Sequence, residues 1–178
     1  MTAPHTIRTA RLVGSPVSPA DLEYIIAIDA DPDVQRTLPR KIVSPAESEA
    51  RLERWLAHWR EHGLGFWLFR DGGADVVGHA GLFQSKRQPG SLELGYVVRT
   101  AHWGRGYASE MARALVAIAF DVLRVPSVVA VSVPENTASR RVMEKCGLAF
   151  EVEYEHPEEG PSVLYRAERG AWLRGRSA

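Results

Sequence analysis

The chain has only one cysteine, Cys146, in 178 residues. That excludes an intrachain disulfide and the small stapled folds that depend on several, and it suits a reducing cytoplasm. No excess of charge of either sign exists, because Lys+Arg and Asp+Glu both number 22. Nothing global therefore draws the chain to nucleic acid or to an anionic membrane. Long hydrophobic runs are missing too: nowhere do about 18 apolar residues follow one another. The Met1–Arg8 stretch has no apolar signal region. Repeats and low-complexity segments are absent. What remains is an ordinary globular balance, 45% apolar and 25% charged. The expectation is a single cytoplasmic domain over residues 1–178, able to bury roughly 70% of its unfolded surface.

Turn residues and hydrophobic periods divide the chain. Ile7–Val13 reads as a first strand, stopped by Gly14-Ser15-Pro16. Ser18-Pro19-Ala20-Asp21 starts a helix carrying Leu22, Ile25, Ile26 and Ile28, which ends before Pro32. Ser44-Pro45-Ala46-Glu47 starts another, with Leu52, Trp55, Leu56 and Trp59 on one face and Gly63 as its stop. Gly65–Arg70, Val76–Gln84 and Ser91–Arg99 form an antiparallel meander. A long helix then carries Met111, Leu115, Ile118, Ala119 and Val122 up to Pro126. Strand Ser127–Val133, helix Thr137–Cys146 between Asn136 and Gly147, and strands Leu148–Glu155 and Ser162–Ala167 follow. The order β-α-α-β-β-β-α-β-α-β-β predicts an α/β sandwich on a mixed sheet.

One stretch points to chemistry, Glu93 through Ser109. A strand runs into a turn bearing Gly104 and Gly106, and the turn opens a helix. Glycines let successive backbone N–H groups converge, and a helix N-terminus adds partial positive charge, so the turn suits a pyrophosphate. Arg105 and Arg99 are candidates for charge-assisted bonds to it. Taken alone, Gly-x-Gly marks only a tight turn. A Rossmann loop requires a third glycine where Ser109 stands, and no P-loop motif occurs.

The same residues resemble the GNAT superfamily of N-acetyltransferases, and within it the Rim-type branch. Ile7-Arg-Thr-Ala-Arg-Leu-Val13 is similar to that branch's first strand, and Glu93-Leu-Gly-Tyr-Val-Val98 to its fourth. Trp103-Gly-Arg-Gly-Tyr-Ala108 resembles the pyrophosphate loop. Asn136-Thr-Ala-Ser139 with Val142-Met-Glu-Lys-Cys-Gly147 resembles the segment Asn-x-x-Ser…Lys-x-Gly-Phe. The resemblance implies a mixed, mostly antiparallel central sheet flanked by helices, with the family's fourth and fifth strands splayed. It implies acetyl transfer from acetyl-CoA to a primary amine, on a peptide N-terminus or a small molecule, without a metal. It allows a homodimer.

In that reading Val97 and Val98 offer main-chain groups to pantetheine and one N–H to the acetyl carbonyl. Gly104, Arg105, Gly106, Tyr107, Ala108 and Ser109 hold the diphosphate, with Arg99 adding charge. Asn136 caps its helix and bonds the pantetheine arm, and Ser139 donates to the departing sulfur. Two positions depart from the family pattern. Trp103 stands where Gln or Arg is usual, and Met143 where many members place a tyrosine acid.

Glu93 is the candidate base through a water, with Tyr96 beside it. Trp55, Trp59 and Asp33–Arg40 are candidates to shape the acceptor pocket. Glu151, Glu153 and Glu155 alternate along a strand and so share a face, Glu158 and Glu159 follow, and these acids are either solvated or attract a cationic acceptor. His58-Trp-Arg-Glu-His62 matches an inverted zincin pattern but lacks a third ligand, and Cys146 reads as packing. A competing reading is a non-catalytic acyl-CoA-binding module, and a further one is transfer of another acyl group, such as succinyl.

Overall fold

The segment expected as one strand, 7–13, folds back on itself in the computed structural model, which describes residues 2–38, 41 and 44–175. Thr9 breaks it: its hydroxyl accepts the Leu12 N–H at 3.0 Å, and its own N–H donates to the Leu12 carbonyl at 2.9 Å. A short polar side chain thus offers the backbone a turn in place of a ladder. The result is a hairpin of β1 (Ile7–Arg8) and β2 (Leu12–Pro16).

Ser18 donates its N–H to Asp21 at 2.8 Å, and α1 (Leu22–Asp29) follows. Pro32 does more than end α1. Behind Asp31, whose side chain accepts the Asp33 N–H at 2.9 Å, it becomes the first residue of α2 (Pro32–Thr37). This helix was not expected. α3 (Pro45–His62) starts at Ser44 and stops at Gly63, which sits in the left-handed region at φ 64°.

The meander appears as β3 (Phe66–Asp71), β4 (Val76–Gln84) and β5 (Leu92–Val98). Then come α4 (Tyr107–Ala117), β6 (Ser127–Ser132), α5 (Thr137–Lys145), β7 (Ala149–His156), β8 (Gly160–Glu168) and α6 (Arg169–Gly175), the last also unexpected. One eight-stranded sheet runs in the order β1-β2-β3-β4-β5-β6-β8-β7, antiparallel except where β5 meets β6. It is a mixed α/β fold with helices on both faces. Among the described residues no helix is long and apolar enough to cross a membrane.

β3 shows how the core divides. Trp67 and Phe69 point to the face covered by α4, among Met111, Leu115 and Phe120. Phe66 and Leu68 point to the other, among Ile25, Ile28 and Leu52. Strand alternation buries both sets. Val122, counted on the buried stripe of the long helix, is 39% exposed. The chain runs as a π turn over Ile118–Val122, and the wider turn rotates that position out.

Candidate active site

β5 and β6 touch only at their beginnings, where Leu92 faces Val128 and Glu93 faces Val129. Beyond that point they part, while β5 stays paired with β4 up to Val98 against Gly78. At Gly78 the two strands lie so close that an added Cβ would come within 2.2 Å of the Val97 carbonyl oxygen. The gap therefore opens on the β6 side.

The Arg99 N–H donates to the Val77 carbonyl at 2.9 Å. Antiparallel alternation then leaves the main-chain groups of Val97 in the ladder with β4 and turns those of Tyr96 and Val98 into the gap. This corrects the expectation for Val97, whose polar groups serve the sheet. The indole N–H of Trp103 donates to the Val98 carbonyl at 2.7 Å, so this side chain turns back onto the strand that precedes the loop.

The glycine turn lies at the head of the gap. Gly104 and Gly106 have φ of 75° and 79°, the left-handed region that disfavours side chains, and Gly106 is the N-cap of α4. A Cβ on Gly104 would meet nothing within 4 Å. Tyr107 is buried, Ser109 is half-buried and the Arg105 side chain is exposed. The Arg99 guanidinium is engaged elsewhere, bonding Asp75 and the Val76 carbonyl, both at 3.0 Å. Asp75 also holds His102 Nε2 at 3.0 Å, so the approach to the loop is pinned to the start of β4.

The gap's other wall is the start of α5. Asn136 caps it, its side chain accepting the Ser139 N–H at 3.0 Å while its amide donates to the Thr37 carbonyl at 3.3 Å. The Tyr96 hydroxyl crosses from β5 to lie 2.9 Å from Ser139 Oγ and 3.1 Å from the Ser139 carbonyl oxygen. Burial pushes the Tyr96 phenol far above its ordinary value, despite its bond to Ser139, so it stays protonated. Met143 is buried, and so is Cys146, whose thiol burial pushes up to about 11.

A cavity of about 510 Å³ borders the gap below Leu94 and Gly95, walled by Leu38, Trp55, Phe83 and Val131. Of the segment 33–40, Leu38 reaches the cavity, and Pro39 and Arg40 lie outside the described residues. Glu93 lines the cavity while 6% exposed. It accepts from Ser85 and from Arg87, each at 3.0 Å, and Arg87 also bonds Glu159 at 2.6 Å. Burial raises the Glu93 pKa above the usual carboxylate range, while Arg87 and Ser85 pull it down. Arg87 was not singled out in the sequence, because it lies in a turn and meets Glu159 across 72 residues.

Other candidates stand apart from the gap. A bulge between Phe150 and Val152 breaks the alternation of β7, so the three glutamates do not share a face. Glu151 pairs with Arg166 at 2.5 Å, and Glu153 acts electrostatically on Arg140 of α5. Tyr154 of β7 acts electrostatically on Arg87 beside the cavity. His58 spends both ring nitrogens on main chain, at the Leu64 carbonyl (2.8 Å) and the Gln84 N–H (3.3 Å).

Comparisons with known proteins agree with this geometry. Residues 11–149 match the family model described as acetyltransferase (GNAT) domain. The chain is 32% identical to FsC-acetyl coenzyme A-N(2)-transacetylase of Aspergillus fumigatus, over 95% of this chain and 78% of that one. A solved acetyltransferase of Agrobacterium tumefaciens superposes with a TM-score of 0.80 at 28% identity, covering 94% of this chain and 96% of that one. The fold also matches spermidine N-acetyltransferase of Vibrio cholerae, solved with CoA and spermine. There the TM-score is 0.75 at 16% identity, covering 91% and 98% of the two chains.

Proposed function

The chain belongs to the GNAT acetyltransferase family and is an acetyl-CoA-dependent N-acetyltransferase, and from that premise we propose how its own residues work. The cofactor lies in the gap between β5 and β6, its diphosphate on the amides of Gly104 to Ser109 and its pantetheine along Tyr96 and Val98. One observation carries this reading: the two strands part after Glu93 and Val129, directly below a helix N-terminus headed by two left-handed glycines.

The acceptor enters from the cavity as a primary amine. Glu93, ionised beside Arg87, takes the ammonium proton through a water. The neutral nitrogen attacks the thioester carbonyl, whose oxygen is polarised by the Tyr96 or Val98 N–H. Collapse forms the amide C–N bond and breaks C–S. Ser139, held by the Tyr96 phenol, donates a hydrogen bond to the leaving sulfur, and the thiolate takes up the proton that the attacking nitrogen sheds as it becomes an amide.

Arg51, Arg54, Lys86 and Arg87 line the cavity beside Glu47, Glu93 and Glu159. That mixture favours a monoamine or a peptide N-terminus over a polycation. The Asn136-to-Gly147 segment supports the Rim-type branch, the single buried thiol suits the cytoplasm, and the continuous eight-stranded sheet suits a single domain.

Ser139→Ala should lower kcat about tenfold at pH 7. The loss stays modest because a thiolate with a pKa of about 8.5 leaves partly unaided. Steady-state rates at saturating acetyl-CoA measure it, and a wild-type kcat would remove Ser139 from the chemistry. The function as a whole is tested by thiol release from acetyl-CoA and succinyl-CoA across a panel of amines. Turnover with acetyl-CoA on a primary amine is the expected result. Tight cofactor binding with no turnover on any acceptor would mark a binding module instead.

A further inference from the structure

The turn between β1 and β2 grips the first turn of α4 at a single carboxylate. Thr9 Oγ1 donates to Glu110 Oε1 at 2.6 Å, and the Arg11 N–H donates to the same oxygen at 2.8 Å. Arg11 Nε donates to Glu110 Oε2 at 2.7 Å, with Nη2 at 2.6 Å from it. The other end of the guanidinium, Nη1, donates to the Arg105 carbonyl at 2.9 Å. Its carbon lies 4.4 Å above the centre of the Tyr107 ring. A Cβ on Gly106 would stand 3.7 Å from Nη2. One side chain thus touches the glycine turn, the helix mouth and the acid in its first turn.

Two physical consequences follow. In a trans peptide the carbonyl and the following N–H point in opposite directions. Holding the Arg105 carbonyl against Arg11 therefore aims the Gly106 N–H away from Arg11, out of the loop. The second consequence is electrostatic. Glu110 carries a negative charge into the first turn, where it would oppose a bound anion, and its pKa is lowered by Thr9 and Arg11 against the cost of burial. Arg11 neutralises that charge in place.

We propose that Arg11 is a positioning residue for the cofactor diphosphate, pre-forming the cradle before the ligand arrives. The proposal rests on the reading of Gly104–Ser109 as the diphosphate site. Lysine is no substitute, because one ammonium cannot fork to Glu110, reach the Arg105 carbonyl and stack on Tyr107 together.

The test compares calorimetric titration of acetyl-CoA with that of S-acetylpantetheine, which lacks the diphosphate. Wild type should prefer acetyl-CoA strongly. Arg11→Ala and Arg11→Lys should each weaken acetyl-CoA about tenfold, the loss of one charge-assisted contact, and leave S-acetylpantetheine within twofold. In steady state the acetyl-CoA KM should rise while kcat falls less than threefold. Should Arg11→Ala fail to fold, the lysine variant carries the comparison. Unchanged acetyl-CoA affinity in Arg11→Lys overturns the proposal, and so does equal weakening of both thioesters, which would make Arg11 a fold residue only. A wild type that binds both thioesters equally overturns the diphosphate reading itself, a separate outcome.

Discussion

Gly104→Asp is expected to weaken acetyl-CoA binding by about a hundredfold, whereas Gly104→Asn costs less than tenfold. Both variants place a Cβ at a φ of 75°, and asparagine tolerates that region better than most side chains. Neither is crowded, since nothing lies within 4 Å of the added carbon. The two side chains have nearly the same shape, so their difference is mainly one of charge. A carboxylate about 5 Å from a phosphate, at an effective dielectric constant of about 20, loses about 3 kcal/mol, or roughly a hundredfold in affinity. Calorimetry at several salt concentrations checks the origin of the gap, because screening should narrow it as salt rises. Equal affinities for the two variants would mean that no anion rests on this turn.

Glu93→Gln is expected to lower kcat/KM for the acceptor about a hundredfold at pH 7, the size of a lost general base. Its pH profile should change shape as well. A base works ionised, so the wild-type rate falls as pH drops through the Glu93 pKa, which burial sets above the usual carboxylate range. The glutamine variant should lose that acid limb.

The sign for stability runs the other way. With its pKa raised in the folded state, Glu93 binds protons more tightly folded than unfolded. Its contribution to stability therefore declines as pH rises from the ordinary carboxylate range through the folded value. Removing this buried charge while Arg87 keeps Glu159 should hold the melting temperature within a few degrees. The acetyl-CoA dissociation constant should stay at its wild-type value. A variant that retains the acid limb would place the base elsewhere.

Much of the fold was legible because local signals were strong. Ser44-Pro45 and Gly63 bounded α3 correctly, since capping and left-handed termination are decided within a few residues. The strands from Phe66 to Val98 followed from alternation and from glycine-rich turns. The failures were local choices settled by distant partners. Ile7–Val13 has the pattern of one strand, yet Thr9 and Arg11 turn it to meet Glu110, about a hundred positions onward. Glu151 to Glu155 alternates faultlessly until a bulge takes up Glu151. Pro32 is a helix stop in one context and a first helical residue in another, and Asp31 decides which.

The site divides along the same line. Sequence alone determined the glycine turn at the head of a helix, because a positive φ is a conformation that glycine itself permits. It also determined the Asn136 cap, which needs only the three residues after it. Only tertiary structure decided that Tyr96 meets Ser139, that Glu93 is buried against Arg87, and that Arg11 braces the Arg105 carbonyl. The physical reason is range. Backbone conformation and capping depend on neighbours along the chain, whereas burial and charge pairing depend on what packing brings together from far apart in it.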